Sequence, residues 1–125
     1  MADTTPDARK MLEGFLKKEV YVVVTRPVRS PEIAKRIIDH LNSQVKLERD
    51  GIMFAAGPMF EEGSDEPVAG MFVIRAGSYA EAKRIADADP LHAAGLRTYT
   101  LRKWHINEGQ FQVKINFSDQ TAEIG

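Results

Sequence analysis

The run Val20-Tyr21-Val22-Val23-Val24 constrains this chain more than any other feature. Consecutive β-branched and aromatic residues favour extended backbone, and Arg26-Pro27 ends the run. Side chains on a strand alternate between faces, so Val20, Val22 and Val24 point one way and Tyr21 and Val23 the other. A strand that is apolar on both faces needs cover on both sides.

Two more segments repeat the pattern. IMFAAG at 52–57 reads as a second strand, closed by a turn at Gly57-Pro58, and AGMFVIR at 69–75 as a third. Ile52, Phe54 and Ala56 oppose Met53 and Ala55, while Met71 and Val73 oppose Phe72 and Ile74. The polar stretch EEGSDEP at 61–67 joins these strands as a hairpin. Residues 96–105 read as strand four.

Helices separate these strands. Ser30-Pro31-Glu32 has the cap, the proline and the acid of a helix start. Ile33, Ile37, Leu41 and Val45 then recur every four residues as a buried stripe, and the helix stops near Asp50-Gly51. Ser78 and Glu81 have capping-box spacing before an Ala-rich helix that carries Ala82, Ile85 and Ala86 inward. That helix ends at Asp89-Pro90, because the residue before proline avoids helical angles. The order is βαββαβ: an α+β, ferredoxin-like fold with both helices on one face of an antiparallel sheet. Two helices cover one face only, so the second apolar face calls for another copy of the chain. We expect a homodimer or higher homo-oligomer, with an interface of roughly 1,200 Å² or more.

The core spans 19–107. Residues 1–18 form an extension with a short helix over 7–18, weakened by Gly14. Residues 108–125 form a C-terminal strand extension in which Phe111, Val113, Ile115 and Phe117 alternate with polar residues; it either adds to the sheet edge, crosses to a partner subunit, or pairs with strand four. At 125 residues the chain buries a core without staples, and it has no cysteine, which excludes thiol catalysis, disulfides and thiolate metal sites. A net charge of −1 gives no electrostatic case for nucleic acid or an anionic membrane. The start MADTTPDARK lacks the apolar segment of a secretory signal, and no apolar run approaches the roughly 20 residues of a membrane helix. A cytoplasmic protein is expected.

Few residues could carry chemistry. His40 sits at the margin of the helical stripe, and its side chain suits proton transfer near neutral pH. The commoner reading of such a position is a partly buried histidine bonded to a backbone carbonyl. Asp89 places a carboxylate at a helix C-terminus, against the macrodipole, and it orients His40, holds a proton itself, or bonds its own backbone in a turn. Gly57-Pro58 permits close approach of a ligand to the backbone, or simply turns the chain. His92, just after Asp89-Pro90, is a further pocket candidate; His105 reads as surface, and Trp104 as core, interface or pocket wall. Histidines at 40, 92 and 105 form no compact ligand motif, so no metal is expected. Neither a P-loop, a dinucleotide fingerprint nor a Gly-x-Ser-x-Gly turn is present. No cofactor is expected.

His40-Leu41, Ala56-Gly57-Pro58, Ala88-Asp89-Pro90, Ala94-Gly95-Leu96 and Arg102-Lys103-Trp104 together resemble the YciI-like family over roughly residues 19–106. That family belongs to the dimeric α+β barrel superfamily, which includes muconolactone isomerases. The resemblance implies a ferredoxin-like dimer with a His–Asp pair in a cleft, His40 and Asp89 taking the catalytic positions. It also implies a small cyclic or aromatic-pathway substrate and isomerase or lyase chemistry of the dehydrochlorinase kind. The leading expectation is a cofactor-independent enzyme in which His40 moves a proton, Asp89 steadies the imidazolium, and Gly57, Pro58 and His92 line the pocket. The alternative is a non-catalytic dimer that binds a small ligand in the same cleft.

Overall fold

The computed structural model describes residues 4–28 and 30–125. The chain gathers into two compact units, one of Glu19–His105 and one of the described residues of Met1–Lys18 with Ile106–Gly125.

The larger unit is built on a four-stranded sheet of order β2-β3-β1-β4, from β1 (Lys18–Pro27), β2 (Met53–Phe60), β3 (Pro67–Ile74) and β4 (Arg97–Ile106). β3 runs antiparallel to both β1 and β2. With the helices Glu32–Arg49 and Tyr79–Asp87 interposed, this is the expected α+β, ferredoxin-like arrangement. In the smaller unit α1 (Pro6–Glu13) is capped by the Thr5 hydroxyl and stops at Gly14, short of the expected end. The helices that follow are α2 (Glu32–Arg49), α3 (Tyr79–Asp87) and α4 (Pro90–Ala93). Among the described residues no helix is long and apolar enough to cross a membrane.

The helix ends follow their local signals. The Ser30 hydroxyl accepts from the Glu32 N–H at 3.2 Å, and α2 stops before Gly51, whose φ of 74° suits glycine. Ser78 accepts from the Glu81 N–H at 3.1 Å while the Glu81 carboxylate reaches back to the Gly77 N–H at 2.8 Å.

Three further expectations about element boundaries are corrected. First, β2 does not close at Gly57-Pro58. It runs on to Phe60, with Gly57 opposite Met71 and Pro58 opposite Gly70. β2 is an edge strand, where a residue without an N–H breaks no ladder on its open side. Second, α3 ends at Asp87, and Asp89 belongs to the start of α4, whose first turn it caps. Its carboxylate therefore sits at the favourable end of a short helix. Third, the C-terminal segment is not a single strand. β5 (Val113–Asn116) and β6 (Thr121–Ile124) pair with each other as a separate two-stranded sheet. Asp119 reverses the chain by accepting from the Thr121 N–H and hydroxyl, and Phe111, Val113, Ile115 and Phe117 are exposed rather than half-buried.

The register explains where the core is filled and where it opens. Opposed residues of antiparallel strands share a face. On the face toward the helices the first row is Tyr21, Ile74 and Met53, and the next is Val23, Phe72 and Ala56. These residues except Ala56 form the main cluster with Ala82 and Ala86 of α3, and Leu47, Ile85, Tyr99 and Leu101 pack against it. The third row is Thr25, Gly70 and Pro58, too small to fill the layer. The α2 stripe above it is consequently not packed down: Leu41 is 50% and Val45 41% exposed, and α2 buries no residue.

Candidate functional site

The space left by the small third row is a cavity of about 620 Å³. Its floor is Thr25, Gly70, Phe72, Ala56, Gly57 and Pro58; its other wall is the face of α2 carrying Ile37, His40, Leu41, Gln44 and Val45. Arg97 also lines it. The size suits a small molecule, and the walls are mostly apolar with few polar groups.

His40 and Asp89 meet at its edge. His40 Nδ1 lies 2.6 Å from Asp89 Oδ2, with the two side chains 12% and 4% exposed. A carboxylate only accepts, so Nδ1 carries the proton and Nε2 is the basic nitrogen of the neutral ring. Asp89 Oδ1 accepts from the Leu91 N–H at 2.9 Å. Burial pushes the Asp89 carboxyl up, but the hydrogen bond and charge of His40, with the Leu91 N–H, outweigh it and hold the group below the usual carboxylate range. Asp89 is therefore a fixed anion that sets the tautomer and orientation of His40. Gln44, one turn along α2 from His40, also reaches Asp89 Oδ2, at 3.5 Å.

Gly57 and Pro58 line the cavity as strand residues, not as a turn. His92 is not part of its wall. Its Nδ1 bonds the Ala86 carbonyl at 2.6 Å, its Nε2 the Thr25 hydroxyl at 3.0 Å, and its ring sits 4.7 Å from that of Tyr99. Both nitrogens are thus engaged inside the fold, and His92 meets the cavity lining from behind, through Thr25 and through the Phe72 ring, on which it stacks with centroids 6.1 Å apart. His105 pairs with Glu19 at 3.4 Å on the exposed part of the sheet, and Trp104 is half-exposed. Among the described residues no group of three or more His, Cys, Asp or Glu could hold a metal ion.

Three polar cavity residues escaped the sequence reading, and two had a signal. Thr25 follows Tyr21 and Val23 at strand spacing, a polar residue on an inward row. Arg97 precedes Tyr99 and Leu101 at the same spacing. Gln44 had only its place one turn after His40.

A model of the YCII-related domain family matches residues 15–105. The chain belongs to the YCII-related domain family. Among curated proteins no match to the chain was found. Among solved structures, this YCII-related chain is similar to 5-chloro-2-hydroxyhydroquinone dehydrochlorinase from Burkholderia phenoliruptrix AC1100, in its complex with 2,5-dihydroxybenzoquinone. The TM-score is 0.51 at 20% identity, over 67% of this chain and 92% of that one. At that identity the likeness speaks for the YCII-related fold.

Proposed function

We propose that this protein is a cofactor-independent enzyme that moves a proton on a small organic molecule, an isomerase or lyase in reaction type. One observation carries the reading: the 2.6 Å contact of His40 Nδ1 with a buried, ionised Asp89, in a residue that also lines a largely apolar cavity. His40 Nε2 takes a proton from a carbon or hydroxyl of the bound molecule. Asp89 stabilises the resulting imidazolium, and His40 returns the proton at a second position or as a leaving group departs. Gly57 and Pro58 bring backbone close to the ligand. The dehydrochlorinase that shares the fold is a precedent for a small cyclic ligand on such a scaffold.

The working form is a homodimer. β1 and β3 present Val22, Val24 and Met71 on the face away from the main cluster; Val22 and Val24 are half-buried and Met71 is 37% exposed. A second copy packed there would close the face in the manner of a dimeric α+β barrel.

The test is a screen of chlorinated hydroxyhydroquinones and unsaturated lactones in D2O, read by proton NMR for deuterium incorporation, chloride loss or isomer formation. Turnover lost in H40Q, with thermal unfolding intact, supports the mechanism. Turnover unchanged in H40Q removes His40 from it. Saturable binding with no product for any compound favours a ligand-binding protein instead.

A further inference from the structure

Among the described residues, the proton-transfer pair leaves one charged group of the cavity unused. Arg97 lines the cavity, and its spacing from Tyr99 and Leu101, which pack on the main cluster, turns it toward the helix-covered face. Its Nε is buried and makes no hydrogen bond among the described residues. Among the described residues no Asp or Glu lies in the cavity wall. The buried carboxylate at the cavity edge, Asp89, is already engaged with the His40 ring and the Leu91 N–H.

A guanidinium with a shielded N–H and no acceptor is costly unless something else supplies one. Its planar fork matches a carboxylate, with two parallel N–H···O bonds. Among the described residues Arg97 is the single cation in an otherwise uncharged wall and balances one negative charge, which favours a carboxylate over a phosphate dianion. Apolar surfaces of Ile37, Leu41, Val45 and Phe72 then accommodate the remainder of the ligand.

We propose that Arg97 is the anion-binding residue of this cavity, and that its ligand is a compact, mostly apolar carboxylate. Only the fate of the bound acid rests on the proton-transfer reading above. The carboxylate docks on Arg97, and the proton that His40 takes lies elsewhere on the molecule. Anion binding itself needs no chemistry at His40.

The experiment compares benzoate with its neutral isostere benzamide by 1H–15N NMR titration of the whole chain. Benzoate is expected to bind at least about ten-fold tighter, the discrimination of a charge-assisted hydrogen bond. Benzoate, and not benzamide, should shift the Arg97 Nε–H resonance of the wild-type protein, a readout that needs no variant. R97Q should abolish the preference, and R97K should keep part of it. Equal affinities, no binding of either compound, an unmoved Nε–H signal, or a preference that survives in R97Q would each overturn the proposal. Because benzoate binding is read without turnover, a failed proton-transfer mechanism and a failed anion site give different results.

Discussion

Asp89 joins two distant parts of the chain: one carboxylate oxygen receives the His40 ring from 49 residues away, and the other caps the turn of helix in which Asp89 stands. Each bond fixes the other. The cap holds the carboxylate still, and the still carboxylate holds the imidazole in the tautomer with Nδ1 protonated. Long-range 1H–15N spectra of the neutral wild-type ring should therefore report the Nδ1–H form. D89A should lose that preference. It should also cost about 2–4 kcal/mol in urea unfolding, from a lost cap and a part-buried donor left without its partner. D89N retains an acceptor for the Leu91 N–H and should cost less.

The same carboxylate predicts a pH effect of definite sign. Burial disfavours its charge, yet His40 and the Leu91 N–H hold the carboxyl below its ordinary value. A group whose pKa is lower folded than unfolded stabilises the fold above the unfolded value, about 3.9 for aspartate. That stabilisation is lost as pH falls through the folded value. The stability advantage of wild type over D89N should be present at pH 5 and shrink progressively below about pH 4. Urea midpoints measured at half-unit intervals check this; an advantage that grew on acidification would contradict it.

What was legible in the sequence divides along physical lines. The strands at 20–24, 52–57 and 69–75 and the helix starts at Ser30 and Ser78 rest on local signals, namely branched side chains and caps, and the structure places elements at all of them. Pro58 read as a stop because a proline interrupts a ladder, but whether a ladder exists on its side depends on strand order, which no local pattern encodes. Asp89 read as an acid at the wrong end of a helix because the four residues Pro90–Ala93 are too few to announce a helix of their own. The α2 stripe read as buried because spacing reveals which residues share a face and not what lies opposite; here the opposing row of Thr25, Gly70 and Pro58 is too small to meet it. The position of Asp89 offered its pairing with His40 as one of several readings, and the family resemblance favoured it; spacing alone did not require it.

Gly70 tests the origin of the cavity. A Cβ there would stand 3.1 Å from Thr25 Cγ2, tighter than ordinary packing. Thr25 cannot easily turn aside, because its hydroxyl is held by His92 Nε2 at 3.0 Å. Alanine at this position gains about 0.4–1 kcal/mol from the less flexible unfolded chain, against overpacking of about 1–3 kcal/mol. G70A should therefore destabilise by roughly 1 kcal/mol. Serine at position 25 lacks the clashing methyl and keeps the hydroxyl, so T25S should rescue G70A, a coupling that a double-mutant cycle in urea measures directly.

The apolar face carrying Val24 and Met71 predicts the oligomeric state. These two residues oppose each other across β1 and β3 and stand on the face away from the main cluster. Covering them with a second copy removes apolar area worth about 25 cal/mol per Å², so even a standard interface of about 1,600 Å² has ample driving force before association entropy is subtracted. A buried carboxylate without a partner opposes that gain by several kcal/mol. Wild-type protein at micromolar concentration should sediment as a dimer or larger. M71E should shift it to the monomer while its far-ultraviolet circular dichroism stays native, since Met71 is open to solvent in the single chain. A wild-type monomer would remove the dimer altogether, and an M71E dimer would move its interface to another face.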